Sequence, residues 1–363
     1  MCKERYRNFL VALLTLICTL MYFAYNKNVI SQSENKSVLA EKVSDEQCES
    51  SFEDVRMVIP CGTPIGIYVK TDGVMVINTS EIMSRNGEKT SPCEGKLKQG
   101  DYIVSINGNL VEDKNDLIEL VEESNGGELS IGIVRGEEEL NVMATPVLNE
   151  KGNYMLGLWV KDDISGIGTL TYIDENGFGA LGHSINDNDT GVAFSISDGA
   201  IYDANLINVV KPSGNNPGRL EGIIDYSGEH IVGRINNNSS CGIQGYMTKH
   251  GSDSLMSGEW IPVAKKEEAH LGKAYILSAV SGVADYYEVE ITDINLSDNE
   301  DGKSLELKVT DERLLGITGG IVQGMSGTPI IQDGKLLGAV THVFLRDSTN
   351  GYGIFVENML ESN

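Results

Sequence analysis

The run Gly324-Met325-Ser326-Gly327-Thr328-Pro329, continued by Ile330-Ile331-Gln332-Asp333-Gly334-Lys335-Leu336-Leu337-Gly338-Ala339-Val340, decides how the rest of this chain is read. One serine stands between glycines, just ahead of two apolar runs joined through Asp-Gly, the strongest short signal for a hairpin. A serine hydroxyl is a nucleophile only when a base takes its proton, and the tetrahedral adduct needs backbone N–H groups aimed at the new oxyanion. Gly324 frees the backbone to bring its own N–H and that of Ser326 toward one point, and Gly327 removes a side chain where substrate must approach. The same hexapeptide also makes an ordinary turn, so both readings stand at this level.

The context separates two hydrolase classes. An α/β-hydrolase elbow needs Gly-x-Ser-x-Gly between a strand and a helix; here Thr328 replaces the last glycine and strands follow, which excludes it. Loop, glycine, proline and hairpin instead resemble the nucleophile region of chymotrypsin-like double β-barrel serine peptidases.

Such a serine needs an imidazole as base and a carboxylate to orient it. The chain has 5 histidines. His230, His250 and His270 lie in polar stretches and read as surface residues. His342 alternates with apolar neighbours in Val340-Thr341-His342-Val343-Phe344, as a strand residue near the serine or part of a specificity pocket. His183, in Gly177-Phe178-Gly179-Ala180-Leu181-Gly182-His183-Ser184-Ile185, has the glycine setting of a catalytic loop or of a packed turn. Asp187, Asp189, Asp225, Asp285, Asp293 and Asp311 all fall between His183 and Ser326, in the order His, Asp, Ser. Asp311 closes the alternating strand Leu305 to Thr310 and also fits a turn or helix cap.

With 363 residues the chain has room for two or three domains, and 41 glycines with 40% hydrophobic residues read as globular and turn-rich. A net charge of -25 and the absence of basic patches argue against nucleic acid. Lys3, Arg5 and Arg7 precede the uncharged run Phe9 to Tyr25, an export signal whose length favours a retained anchor with its basic flank in the cytoplasm. Residues 1–27 are thus expected to be signal or anchor, and 28–51, polar and charged, a flexible stalk. The 6 cysteines show no CxxC or Cys/His metal spacing, so no structural zinc is implied; Cys61 and Cys93 are one conceivable pair.

Residues 52–147 read as strands around Ile65–Lys70 and Gly73–Asn78, a helix from Asp113 to Glu123, and closing strands Leu129–Arg135 and Glu138–Ala144. Leu97-x-x-Gly100-Asp101-x-Ile103-x-x-Ile106-Asn107-Gly108 resembles a PDZ domain of the kind attached to secreted proteases. The resemblance puts Ile65, Gly66 and Ile67 in the loop that captures a peptide carboxylate, beside an edge where a peptide adds as a strand. A PDZ-like module without a free peptide ligand is the plainer alternative.

Residues 148–363 read as mostly β. Gly166-Ile167-Gly168-Thr169-Leu170-Thr171-Tyr172, then Gly179-Ala180-Leu181-Gly182-His183, then Gly324-Met325-Ser326-Gly327-Thr328-Pro329-Ile330 are similar to the stage IV sporulation protein B (SpoIVB) peptidases. The resemblance implies a mainly β chain, a PDZ domain (α+β) followed by a chymotrypsin-like double β-barrel serine peptidase domain. By it Ser326 is the nucleophile, His183 the base, Asp311 the orienting carboxylate, and the N–H groups of Gly324 and Ser326 the oxyanion hole. No metal or organic cofactor is required. It also implies a sporulation endopeptidase exported across the forespore membrane, self-processing near its stalk. Its expected target is a membrane-bound regulator such as stage IV sporulation protein FA, cleaved in the intermembrane space to activate the late mother-cell sigma factor. Two other readings compete with it: an inactive PDZ scaffold that binds peptide termini, and a cysteine hydrolase using Cys241.

Overall fold

The computed structural model describes residues 55–186, 195–214, 216–297 and 302–361. The expected export segment and stalk, and with them Cys2, Cys18 and Cys48, lie outside the described residues, as do Asp187 and Asp189. No described helix is long and apolar enough to cross a membrane.

In chain order the principal elements are β1 (Met57–Thr79), β2 (Tyr102–Ile106), α1 (Lys114–Glu123), β3 (Leu129–Arg135), β4 (Glu138–Ala144), β5 (Leu158–Ile173), β6 (Phe178–Ala180), β7 (Ile196–Val210), β8 (Arg219–Ile224), β9 (Ile231–Ser239), β10 (Gly242–Met247) and α2 (Lys249–Leu255). They continue with β11 (Gly272–Ser278), β12 (Asp285–Ile294), β13 (Leu305–Val309), α3 (Glu312–Thr318), β14 (Pro329–Gln332), β15 (Lys335–Val343), β16 (Asn350–Phe355) and α4 (Val356–Glu361).

Two rings of strands hold most of the described strand residues. The second ring, β11-β12-β13-β16-β15-β14, is a closed barrel around Ile276, Tyr287, Val289, Leu307, Ile330 and Val340. The first follows from the pairings: β1 pairs β5 on one side and β7 on the other, β5 pairs β6, β6 pairs β10, β10 pairs β9, and β9 pairs β7. Those contacts return to their starting strand, so six antiparallel strands enclose Ile65, Ile67, Val69, Leu170, Phe178, Ile201, Val232 and Ile243. Inward β-branched and aromatic residues at period two are what such a ring requires. The fold is therefore the expected double β-barrel with a PDZ module.

The domain order differs from expectation. The PDZ core of Val74, Val76, Leu97, Ile103, Ile106, Leu117, Val121, Leu129, Ile131 and Ile133 is bounded by β1 and β5, which both run out of the first barrel into it. The PDZ module is thus inserted into the peptidase after the first barrel strand, and the segment around Ile65 belongs to the barrel. Its own strands run β1-β2-β3-β4, with α1 started by a capping box between Asp113 and Asp116. Asp101, almost fully buried, is held by a bidentate Arg135 at 2.7 Å through both oxygens.

The expected peptide-capturing loop is corrected by the same pairings. Ile65, Gly66 and Ile67 pair with Gly168, Ile167 and Gly166 on one side and with Asp203, Tyr202 and Ile201 on the other. A strand flanked on both sides has no free ladder groups for a peptide. Farther along, Met75, Val76, Asn78 and Thr79 pair with Lys161, Val160, Trp159 and Leu158 of β5. Beside them, Asp162 takes the Lys114 N–H at 3.0 Å and its ammonium at 2.9 Å, and Glu122 takes the Tyr154 N–H at 3.1 Å. The chain's own segment Tyr154 to Asp162 therefore lies between α1 and β1, where a PDZ ligand would add.

Cys61, Cys93 and Cys241 are buried, each in a different apolar cluster, so Cys61 and Cys93 do not pair. Burial raises the Cys61 thiol to about 12 and the Cys93 thiol to about 11. Cys241 packs with Tyr172, Leu277, Ala339 and Ile354, with no approach for a substrate.

Candidate active site

Ser326 reaches its place because the loop before β14 is tied down at both ends. Gly324 (φ +96°) and Gly327 (φ +95°) adopt backbone that L side chains rarely take. A Cβ on Gly327 would lie 2.1 Å from the Thr169 carbonyl oxygen, so the loop sits flush on β5 of the other barrel. There the Thr169 N–H donates to the Ser326 carbonyl (3.0 Å), the Thr169 hydroxyl to the Gly324 carbonyl (2.8 Å), and the Thr171 hydroxyl to the Gly327 carbonyl (2.7 Å). The Asp333-Gly334 turn carries positive φ at both residues, the conformation expected of that dipeptide.

His183 follows β6 of the first barrel. Leu181 before it has φ 71°, and the Gly182 N–H closes onto the Ala180 carbonyl at 2.9 Å, a tight turn with its central residue in the left-handed region. This turn swings His183 out of the strand line. Its Nδ1 lies 2.8 Å from the Ser184 carbonyl oxygen, which selects the Nδ1–H tautomer and leaves Nε2 with its lone pair. Burial holds the imidazole below the usual histidine range, partly offset by that carbonyl.

The two residues meet in one cleft of about 630 Å³ between the barrels. Ile67, Leu181 and His183 come from the first barrel, and Gly324, Ser326 and His342 from the second. The His183 and His342 rings stand 5.2 Å apart. Although His342 is solvent-exposed overall, desolvation against this wall, with repulsion from His183 and Lys303, takes its pKa down to about 4. Both rings are therefore neutral at pH 7. Ser326 Oγ donates to the Thr341 carbonyl at 2.7 Å rather than to His183. Among the described residues, no acceptor takes the N–H of Gly324 or of Ser326. Two such donors beside a serine are what an oxyanion hole needs.

Asp311 is not brought to this cleft. It is the N-cap of α3, accepting the Arg313 N–H at 2.8 Å, while the Arg313 guanidinium reaches both its oxygens at 3.2 and 2.9 Å. The Glu288 N–H adds a third donor at 3.3 Å, and these bonds, led by Arg313, lower its pKa to about 2. The expectation that Asp311 orients His183 is corrected in this conformation: its lone pairs are committed to α3, and the Ser184 carbonyl stands at Nδ1. Ser184 and Thr341 act through backbone carbonyls, which no residue type announces. Thr169 and Thr171 did leave a signal, as alternate residues of the Gly-Thr-Leu-Thr run.

The other histidines separate cleanly. His270 pairs with exposed Asp333 at 2.8 Å, whereas His230 and His250 converge on Asp203.

A family model described as SpoIVB peptidase S55 matches residues 152–360. Among solved structures, the crystal structure of the PDZ domain of an SdrC-like protein from Listeria monocytogenes is similar at 23% identity, covering 25% of this chain and 90% of its own, with a TM-score of 0.20. None of the curated proteins matches.

Proposed function

Because this chain belongs to the SpoIVB peptidase S55 family, a family of serine peptidases of sporulation, we propose that it works as an exported endopeptidase with Ser326 as nucleophile and His183 as base. The observation that carries the assignment is the single cleft holding His183 from one barrel and Ser326 from the other, beside the untaken N–H groups of Gly324 and Ser326. Peptides and proteins are its substrates.

The chemistry is acyl transfer. Rotation of Ser326 away from the Thr341 carbonyl presents its hydroxyl to His183 Nε2, which takes the proton as Oγ attacks the peptide carbonyl. The N–H groups of Gly324 and Ser326 hold the oxyanion, His183 returns the proton to the leaving amine, and water then releases the acyl group by the same path. In this reading the enzyme self-processes in the stalk and cleaves a membrane-bound sporulation regulator of the stage IV sporulation protein FA type. The site of action is the space between forespore and mother cell, and cleavage activates the late mother-cell sigma factor. The uncharged run Phe9 to Tyr25 after three basic residues supports export and anchoring.

A soluble chain beginning at Gln47, treated with a fluorophosphonate probe, tests the assignment. Covalent labelling and shortened chains are expected from the wild type and from neither Ser326→Ala nor His183→Ala, with a turnover loss on the order of a millionfold. Equal behaviour of wild type and Ser326→Ala, both folded, would return the protein to the class of binding scaffolds.

A further inference from the structure

Two histidines that read as surface residues meet on one carboxylate. Asp203 stands on β7, His230 ends the short turn Gly228–His230 ahead of β9, and His250 lies in α2. His230 Nδ1 is 3.2 Å from Asp203 Oδ2, and His250 Nε2 is 2.6 Å from the same oxygen. One donor atom from each residue lies within 4.8 Å of the other two. All three side chains are between 38% and 41% exposed, so solvent and small ions reach them.

We propose that Asp203, His230 and His250 bind a divalent transition metal of the zinc class, with water completing the coordination. Imidazole nitrogen with carboxylate oxygen suits such a cation, and bonds of about 2.0–2.2 Å in a tetrahedron put ligand atoms roughly 3.3 Å apart. The His230–Asp203 separation already has that value, and the shorter His250 contact opens by less than about 1 Å on metal entry. A second carboxylate stands behind the site: Asp225 Oδ2 lies 3.5 Å from His230 Nε2 and adds negative charge on the far side of that ring. Asp203 and Asp225 together balance a double positive charge.

The scaffold holds the ligands in place. The Thr248 hydroxyl donates to the Ile231 carbonyl at 2.5 Å and the Thr248 N–H to the Val232 carbonyl at 3.0 Å, which fixes the start of α2 against the strand that His230 leads into. Asp203 pairs with Ile65 of β1, so the metal braces three segments of the barrel that carries His183. No Cys or His spacing marks this site, because its ligands come from three separate elements. Its role is to stabilise the barrel, apart from the cleft.

The full chain carrying Ser326→Ala, which suppresses self-cleavage, is titrated with Zn²⁺ by calorimetry and with Co²⁺ by visible absorption. One equivalent is expected to bind, raise Tm and give Co²⁺ bands of low coordination number. Binding weakens at least about tenfold in His230→Gln and in His250→Gln, and about tenfold in Asp225→Asn. His270→Gln, which breaks the other imidazole–carboxylate pair, leaves it unchanged. Should the variants fold poorly, histidine modification by diethylpyrocarbonate decides on the unmutated site: Zn²⁺ protects His230 and His250 and not His270. No saturable binding, or equal binding in every folded variant, or no protection of His230 and His250, overturns the site.

Discussion

The Thr169 hydroxyl donates to the Gly324 carbonyl across the line between the two barrels, at 2.8 Å. Gly324 is one of the two proposed oxyanion donors, so in this reading a buried threonine of the first barrel sets the pose of a loop on the second. Thr169→Val keeps the shape and removes the hydroxyl. A kcat loss of about 10- to 100-fold with little change in KM is expected, since loop displacements well under 1 Å carry such penalties. Stability should fall by about 1 kcal/mol for the unpaired carbonyl. Steady-state kinetics with a thermal melt check both; an unchanged kcat would dissociate the loop from β5.

Burial sets the acid limb of the activity profile. As the proposed base His183 acts only when neutral, and its pKa in the fold lies below the ordinary 6.5. Activity should therefore rise with pH through an apparent pKa below 6.5 and be flat by pH 7. His342 stays neutral down to about 4 and adds no opposing charge above that. A limb centred at or above 6.5 in kcat/KM would contradict the buried setting of His183.

Asp311 makes a different prediction. Its folded pKa, about 2, lies below its ordinary 3.8, so it contributes stability that is present above about 4 and lost as pH falls toward about 2. Asp311→Asn should melt lower than wild type at pH 7 and lack that acid-dependent loss. Melting curves at several pH values show this, and probe labelling of the folded fraction should match the wild type, since Asp311 stands outside the cleft.

The insertion of the PDZ module also predicts a boundary. A chain starting at Lys151 lacks β1, which pairs β5 and β7 and fills the first barrel with Ile65, Ile67 and Val69. It should remain unfolded or aggregate, whereas a chain starting at Val55 should melt cooperatively. Circular dichroism of the two separates them.

Much of this was written locally in the sequence. The serine between glycines, the Asp-Gly hairpin and α1 are short-range patterns, and each appears where its residues put it. The closure of the first barrel was not legible, because period-two alternation in β1 marks buried positions without naming the strands on either side. The same continuous strand serves barrel and PDZ module, so no composition change marks the passage between them. Asp311 misled for a related reason: a carboxylate that ends a strand looks alike whether it caps the next helix or orients a distant imidazole. The convergence of Asp203, His230 and His250 depends on three elements folding first.

The inserted PDZ module also sets an order of assembly. β1 and β5 are adjacent in the first barrel yet far apart along the chain, and closing a long loop costs entropy before any strand contact repays it. Once the inserted module has folded, its two ends leave side by side as a paired ribbon, and that long loop behaves as a short one. The catalytic barrel thereby inherits its closing speed from a neighbour that supplies no chemistry. A lesion in the module's core, at Leu117 or Ile131, would slow maturation of the enzyme while leaving every residue of the cleft intact.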